Sequence, residues 1–419
     1  MSQPVEPLQG LPPVTPPSGR FIAQLFLVPG LIVVGAVSVL WGFTWLVGAS
    51  RTPEQFLKDL GSANAEVRWR AASDLAQVLK RDQELASNPK FALDLADLLS
   101  DALREHDQTN KQSAPSNNDA RPMKKRGDRD NSEGEIHYVQ FLLNCLGNCN
   151  LPVGVPLLCS VAANESGVDT PTTSRWQGVA LWSLACLGDR LKHLDSLPEA
   201  KREEIIQVLD AETANGAPER SLRAQQVRDY LKVRFSNGAD TMGVDRAVAA
   251  CGKAKDPGLR KLAAFTLSIW EGDEEANGRM EDTLLSLTYD DGHGAIDEEG
   301  NVDPDEKPYG LKVRYQAVEG LARRGSEKIS KRMGILSEML DEEQLSRSFR
   351  TRPEHGERGA DLAAVSSTII GGLKAVAELH RRRPEIDFAK FQPAIDRLTH
   401  SQDAAVRAEA ERTQITLQQ

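Results

Sequence analysis

The chain has 419 residues, of which 27% are charged and 5% aromatic, and its formal net charge is −10. This charge argues against a nucleic-acid partner, because phosphate binding depends on a dense surface of Lys and Arg. The cysteines number 5, an odd count in a long chain, and do not indicate a disulfide framework. Composition therefore points away from nucleic-acid binding and from a fold held together by disulfides.

A proline-rich leader, residues 1–20, opens the chain. Segments of this composition favour a polyproline-like or disordered backbone and do not build a packed core. We therefore predict a disordered tail over residues 1–20. Its prolines are Pro4, Pro7, Pro12, Pro13, Pro16 and Pro17.

Residues 21–49 contain no charged side chain. The second part of this stretch is apolar or small throughout, and as a helix it would measure roughly 28 Å, close to the hydrocarbon thickness of a bilayer. Two tryptophans stand toward its far end, where indole rings favour the membrane interface. The sequence predicts a single transmembrane helix over residues 21–49. Its marker residues are Leu31, Trp41, Trp45 and Val47.

A cleavable signal peptide is the alternative, since residues 47–49 resemble a cleavage site. A signal peptide has an apolar core of about 7–15 residues behind a positively charged start. Here the apolar run is longer, and no Lys or Arg precedes Arg20. Arg51 and Lys58 follow the span, so the positive-inside rule places the body in the cytoplasm. We expect a retained single-pass anchor with a cytoplasmic C-terminal body.

The remainder of the chain repeats one helical pattern. A polar turn is followed by an apolar residue and Arg, then by small residues, and usually by Leu one turn later. The clearest copies cover residues 64–79, 256–267, 313–321 and 403–410, and strand signals are scarce. The arginines of these copies are Arg68, Arg260, Arg314 and Arg407, and weaker copies begin near Tyr138, Arg175, Leu222 and Asp361.

This pattern resembles HEAT repeats, in the style also called PBS-lyase HEAT-like repeats. The resemblance implies an all-α fold, a HEAT-like α-solenoid of about seven or eight helix pairs over residues 50–419. It also implies that the turn Asp and the following Arg serve packing between repeats, as Asp256 with Arg260 and Asp403 with Arg407, while Asn64 replaces Asp in the first copy. Repeated arginines also suit phosphate binding, but satisfying turn carbonyls and carboxylates is the role that the sequence favours.

Two polar insertions interrupt the repeats. The first, residues 106–135, lies where Leu, Ile, Val and aromatic residues are missing, which predicts an unpacked loop. Its basic cluster, Lys124, Lys125 and Arg126, is a candidate contact for anionic lipid or an acidic partner. The second, residues 289–310, is rich in carboxylates, but their spacing does not fit an EF-hand calcium loop. We predict acidic and basic solvated loops.

No catalytic motif is present: the chain lacks a nucleophile elbow, a P-loop, H-E-x-x-H and a dinucleotide-binding glycine pattern. Cys145 and Cys149 with His137 offer too few ligands for a standard zinc site. Buried reduced thiols in a helical core are the favoured interpretation of the cysteines. We therefore predict no catalytic residue, no metal and no cofactor.

Function is predicted from the anchor and the repeats together. We expect a membrane-anchored scaffold or adaptor that binds proteins at or near the bilayer, with no enzymatic activity. A regulatory or assembly subunit of a membrane enzyme or transporter is the alternative. A lyase-like HEAT-repeat enzyme is a remote third reading, because phycobilin lyases contain related repeats. The identity of the partner does not follow from the sequence.

Overall fold

The computed structural model describes residues 27, 31–39, 41, 52–113, 126–165, 167, 170–236, 238, 240–290, 307–350 and 359–419. Within these residues the regular secondary structure is helical throughout. The sole β-type pairing among them is an isolated bridge between Arg350 and Ala360. The predicted all-α class is confirmed.

The helices of residues 52–419 are numbered here in chain order. They are α1 (Pro53–Leu60), α2 (Ala65–Val78), α3 (Gln83–Ala86), α4 (Pro89–Ser113), α5 (Arg126–Gly147), α6 (Val155–Ala163), α7 (Pro171–Leu191), α8 (Glu199–Asn215), α9 (Pro218–Phe235), α10 (Val244–Cys251), α11 (Pro257–Leu267), α12 (Glu274–Leu287), α13 (Lys307–Arg324), α14 (Met333–Met339), α15 (Glu342–Ser348), α16 (Leu362–Arg382), α17 (Gln392–Leu398) and α18 (Ala404–Leu417). Short 3-10 turns cover Pro152–Gly154, Lys192–Ser196, Glu327–Arg332 and Ala389–Phe391.

Polar residues in the repeated turns start the helices. The Asn64 side chain accepts a hydrogen bond from the backbone N–H of Glu66 at 2.9 Å, at the start of α2. Asp256 accepts from Gly258 at 2.7 Å, and Asp403 accepts from Ala405 at 2.8 Å. A side chain that satisfies a free N–H at a helix start stabilises it by roughly 1 kcal/mol. The polar turn of the repeated pattern therefore acts as a helix N-cap.

Helices alternate between two layers along residues 56–419. The first layer consists of α2, α5, α7, α11, α13, α16 and α18, each packed on the one before it. The second layer contains α4, α6, α10, α12, α14 and α17, and each packs on a first-layer helix adjacent to it in sequence. Contacts thus run between near neighbours along the chain, as in a stack of repeated helix pairs.

A continuous apolar core fills the space between the layers. Leu75, Leu184, Leu267, Leu321 and Leu373, from five first-layer helices, are fully buried. Burying a Leu side chain contributes roughly 2 kcal/mol relative to leaving it in water. Because each pair of helices covers the apolar face of the next pair, the core depends on stacking rather than on any single pair.

Side-chain donors connect neighbouring first-layer helices. The Thr266 hydroxyl on α11 donates to the Leu181 carbonyl of α7 at 3.0 Å, and the Thr413 hydroxyl on α18 bonds the Leu373 carbonyl of α16 at 3.3 Å. Each such bond requires two helix backbones to lie close together. Gly147 permits this approach between α5 and α7, since a Cβ there would stand 2.7 Å from the Cα of Ser183.

One helical hairpin departs from the alternation. Helices α8 and α9 pack on each other and on α4, outside the first-layer row. Arg220 at the start of α9 holds them there, with ion pairs to Asp94 and Asp97 of α4 at 2.8 and 2.6 Å and to Glu212 of α8 at 2.6 Å. The weak repeat copy that the sequence places near Leu222 thus belongs to a hairpin and not to a first-layer helix.

The chain divides by internal contacts into residues 1–55 and residues 56–419. In the first unit, residues 31–39 and Trp41 are helical with exposed side chains, and Trp45 and Val47 lie outside the described residues. Among the described residues, the helix with the length and hydropathy of a membrane span is α16, and 56% of its apolar window is buried against the rest of the fold, as is usual for a core helix. The structure does not support the single transmembrane helix predicted over residues 21–49, which stays a prediction.

The insertions are shorter than the sequence predicts. Helix α4 continues to Ser113 and α5 begins at Arg126, so the outer parts of the predicted 106–135 loop are helical. Polar residues are compatible with a helix as well as with a loop, and for this reason a polar composition alone overestimates the length of the loop. In the second insertion, α12 ends at Leu287 and α13 begins at Lys307.

Candidate binding surface

Two aromatic rings from neighbouring first-layer helices stack at the surface, one exposed and one half-buried. Trp182 on α7 and Phe265 on α11 stack with ring centroids 5.7 Å apart and an interplanar angle of 13°. Trp182 is 49% exposed although it is a large apolar side chain. Large exposed aromatic residues are common at sites that bind proteins or peptides. This pair, called here the aromatic patch, is the apolar part of the candidate surface.

Arg323 joins the aromatic patch to a charged groove. Its guanidinium carbon lies 5.8 Å from the centroid of the Phe265 ring, a cation–π distance. One of its terminal nitrogens donates to the Ser268 hydroxyl at 2.9 Å, which holds the side chain of α13 against α11. Arg323 also lines the groove next to it. The apolar and charged parts therefore form one continuous surface.

The charged groove is a cavity of about 650 Å³ between α13, α16 and α18. Its size falls in the range of about 300–1,000 Å³ that is usual for ligand pockets. Basic side chains outnumber carboxylates in its lining, in a protein whose formal net charge is −10. The basic residues are Lys192, Arg323, Lys374, Arg381, Arg382 and Arg412, and the carboxylates are Glu319, Glu378 and Glu409.

Lys192 reaches the groove from outside the three helices that form most of its lining. Lys192 follows α7, and α11 and α13 separate α7 from α16 in the first layer. Its side chain nevertheless lines the same groove as Lys374 of α16 and Arg412 of α18. The groove therefore draws its lining from four segments of the chain that are far apart in sequence.

Ion pairs engage part of the basic lining. Glu378 bonds Arg381 at 2.7 Å and Arg382 at 3.0 Å, and Glu409 lies 3.3 Å from Arg412. Lys374 is exposed, and no described carboxylate lies within ion-pair distance of its ammonium group. The ion pairs hold their arginines at defined places along the groove, while the Lys374 ammonium group remains available to a ligand.

Glu319 is the half-buried carboxylate at the floor of the groove. Burial raises the pKa of Glu319 to about 7, against the opposing effects of Arg323, Lys261 and Lys374, and Gln316 donates to it at 3.2 Å. Removal from water disfavours a charged carboxylate more strongly than the three cations favour it here. Near neutral pH this group is thus poised between its charged and neutral forms, and the net positive charge of the groove varies with it.

A second cavity lies between α4, α6 and α7. It has about 380 Å³ and is lined by side chains that include Leu103, Ser160, Thr173 and Trp176. His106 meets the Trp176 ring edge-on at 4.5 Å, and burial lowers the pKa of His106. The lining of this second cavity does not contain a group of charged side chains of the same sign that point toward one place. The groove is for this reason the stronger candidate for a ligand site.

The four repeat arginines are in structural contacts. Arg260 donates to the turn carbonyls of Ala254 and Lys255 at 2.9 and 2.7 Å and pairs with Asp290 at 2.5 Å. Arg407 donates to the carbonyl of Ser401 in the turn before α18. These contacts fix the turn to the helix that follows it. They leave these guanidinium groups engaged within the fold.

The other two repeat arginines reach across to a neighbouring helix. Arg314 bonds Glu338 of α14 at 3.0 Å. Arg68 lies 3.8 Å from Glu135 and 5.2 Å from the centroid of the Tyr138 ring, both on α5. Neither lines the groove. The arginine positions that the repeated pattern singles out are therefore separate from the candidate surface.

Other residues predicted from the sequence fall elsewhere. Lys124 and Lys125 lie outside the described residues, and Arg126 is the first residue of α5. No group of three or more His, Cys, Asp or Glu with metal-binding geometry occurs in the part of the chain that the structure describes. Cys145 and Cys149 are buried, and burial raises the pKa of both thiols, that of Cys149 to about 12.

The sequence analysis did not find the groove residues. Lys374, Glu378 and Arg381 share one face of α16 because they are four and three residues apart, and Glu319 and Arg323 share one face of α13 in the same way. Each spacing is ordinary for an exposed helix face. A signal emerges only when equivalent faces of successive first-layer helices are aligned with each other.

No protein-family model matches the chain, and no curated protein matches it. Among solved structures, an engineered protein of the Northeast Structural Genomics Consortium is similar over 87% of this chain and 96% of its own, with a TM-score of 0.31 and 14% identity. A second engineered protein from the same consortium covers 88% of this chain and 99% of its own, with a TM-score of 0.27 and 13% identity. These scores are too low to add to the two-layer helical fold described above.

Proposed function

We propose that this chain is a membrane-anchored, HEAT-like α-solenoid that serves as a scaffold or adaptor and binds another protein through its first-layer face. The observation that carries the proposal is the continuity of the aromatic patch with the charged groove, through Arg323. Surfaces that bind proteins combine exposed aromatic anchors with arginine and a polar rim. The proposal includes no catalytic step.

Two further features support a scaffold. The alternation of layers is the arrangement of a helical-repeat protein, in which stacking produces an extended surface on one face. The uncharged stretch over residues 21–49 supports an anchor, and an anchored body meets partners at the membrane at a raised effective concentration. The binding face and the anchor together favour a partner that resides in or visits the bilayer.

A photo-crosslinking amino acid at position 182 tests the binding face. Introduced in place of Trp182 in the full chain, it should yield a defined crosslinked protein after irradiation of intact cells. The matched control is the same amino acid in place of Glu203, an exposed residue of α8 outside the first layer. Equal yields from both positions, or none from position 182, would contradict the proposal. One stoichiometric membrane partner would favour a subunit role, and several soluble partners would favour a scaffold.

Deletion of residues 21–49 tests the anchor separately. The full chain should remain with membranes after extraction at high pH, since apolar helices of this length partition into the bilayer. The deletion variant should move to the soluble fraction with its helical circular dichroism preserved. Release of the full chain by the same extraction would exclude a transmembrane anchor. Labelling of Glu203→Cys in a Cys186→Ser background, with a membrane-impermeant maleimide, would report the side on which the body lies.

A further inference from the structure

The net charge of the groove lining is opposite in sign to the net charge of the whole chain. The chain has a formal net charge of −10, while the groove lining has more cations than carboxylates. Such a local reversal concentrates anionic ligands at one place and repels them elsewhere. The groove is therefore suited to a ligand that carries several negative charges within a short length.

The carboxylates inside the groove narrow the class of ligand. Glu378 and Glu409 stay within the lining and hold their arginines in place. A compact, multiply charged phosphate group would meet these carboxylates at close range. A peptide, in contrast, offers backbone N–H groups that carboxylates accept and side-chain carboxylates that Arg and Lys bind. The mixed lining favours a peptide over free phosphate.

The aromatic patch adds an apolar subsite next to the groove. Trp182 lies 5.7 Å from Phe265, and Phe265 lies 5.8 Å from the Arg323 guanidinium. An extended peptide advances about 3.3 Å per residue, so about two residues span each step. An apolar side chain over Trp182 would thus be followed, within a few residues, by positions facing Arg323 and the groove.

We propose that the groove binds an extended acidic peptide, with an apolar residue on the aromatic patch and carboxylates along Arg323, Lys374 and Arg412. This inference rests on the proposed function and specifies the chemistry of the partner segment. Recognition of acidic motifs by clusters of basic side chains is a general mode of peptide binding. Lys374 supplies the main free charge, and the ion-paired arginines supply directed hydrogen bonds.

Fluorescence anisotropy with the detergent-solubilised full chain tests the inference. The probe is a fluorescein-labelled peptide of about twelve residues, long enough to span patch and groove, with one leucine followed by glutamates. The matched probe has glutamine in place of each glutamate and should bind at least about tenfold more weakly. Equal binding of the two probes would overturn the proposal. Stronger displacement by inorganic phosphate, single-stranded DNA or phosphatidylserine added to the detergent micelles than by unlabelled acidic peptide would also overturn it.

Charge reversal locates the site. Lys374→Glu should weaken the acidic probe by about tenfold or more, and Arg412→Glu, at a 75% exposed side chain, should act in the same direction. The matched control Lys201→Glu, at an exposed position on α8, should change the affinity by less than about twofold. Retained affinity in both groove variants would place the peptide elsewhere. If position 182 crosslinks to a partner but the acidic peptide does not bind, the proposed ligand class is wrong and the proposed scaffold function stands. If the crosslink is also missing, both the ligand class and the scaffold function are wrong.

Discussion

The carboxylate of Glu319 on α13 occupies the space where residue 371 on α16 would carry a side chain. A Cβ at Gly371 would overlap Oε1 of Glu319, so the absence of a side chain allows this carboxylate to lie against the α16 backbone. The contact places a titratable group between two first-layer helices, at the floor of the groove. The protonation state of Glu319 therefore affects both the stability of the fold and the net charge of the groove.

Replacement of Glu319 should change the dependence of stability on pH. Burial raises the pKa of Glu319 from 4.5 to about 7 in the folded state, so the folded chain binds more protons than the unfolded chain between these pH values. The free energy of unfolding contributed by this group therefore falls as pH rises through that window. Glu319→Gln should be more stable than the native chain by about 1–3 kcal/mol at pH 8 and nearly equal to it at pH 4.5.

Urea denaturation at a series of pH values measures this effect. Gly371→Ala provides a second readout, because the added methyl group displaces the carboxylate toward solvent and should flatten the same pH dependence. Glu203→Gln on the exposed face of α8 is the control and should leave the profile unchanged. A profile of Glu319→Gln that parallels the native one would show that Glu319 titrates in the ordinary range.

The all-α class could be predicted from the sequence because the repeated pattern contains the local signals of helix formation. Asp256 and Asp403 precede apolar residues at helical spacing, and both are N-caps in the structure. The α8–α9 hairpin could not be predicted in this way, since its place depends on Arg220 meeting Asp94 and Asp97 more than a hundred residues away. The local sequence pattern indicates which segments are helical. The position of the α8–α9 hairpin depends in addition on ion pairs between residues far apart in sequence.

The groove escaped prediction for a related reason. Its lining comes from α13, α16 and α18, and each helix contributes charged residues that look like a solvated face when considered alone. Lys192 adds a fourth segment to the lining. Which segments meet at one groove depends on the packing of several helix pairs, and no single segment of the sequence encodes it.

Gly147→Ala should destabilise the contact between α5 and α7. The added Cβ would lie 2.6 Å from the Cβ and 2.7 Å from the Cα of Ser183, and backbone atoms cannot move aside without separating the helices. Overpacking of this kind costs about 1–3 kcal/mol. The matched control is Gly278→Ala in α12, where no atom lies within 4 Å of the new Cβ and helix propensity favours Ala by roughly 1 kcal/mol. Thermal denaturation should lower the midpoint for the first variant and raise it for the second, and the same sign for both would contradict the packing argument.

Arg220→Met should detach the α8–α9 hairpin from α4. Arg220 is 14% exposed and bonds three carboxylates, and in the variant Asp94 and Glu212 would lose this cation while Asp97 would keep its pair with Arg223. The expected loss is about 2–4 kcal/mol, since removal of one partner from a buried ion pair costs about 3–5 kcal/mol and these carboxylates are partly solvated. Hydrogen exchange should accelerate in α8 and α9 before it does in α11 or α13.

The control variant is Lys201→Ala, which removes an exposed ion pair with Glu204 and should cost less than about 1 kcal/mol. Equal losses in the two variants would show that the cluster around Arg220 does not hold the hairpin.

Reactivity of the thiols should distinguish Cys186 from the other cysteines. Burial raises the pKa of Cys149, Cys159 and Cys251 to about 12, and Cys145 is shifted in the same direction. The thiolate is the reactive form, so at pH 8 these four should react slowly with Ellman's reagent while the chain is folded. Cys186 is half-buried, and despite its own raised pKa it is the accessible one. We expect one fast equivalent in the native protein, all thiols to react in denaturant, and the fast phase to vanish in Cys186→Ser. A fast equivalent that remains in that variant would show that the core between the layers opens readily to solvent.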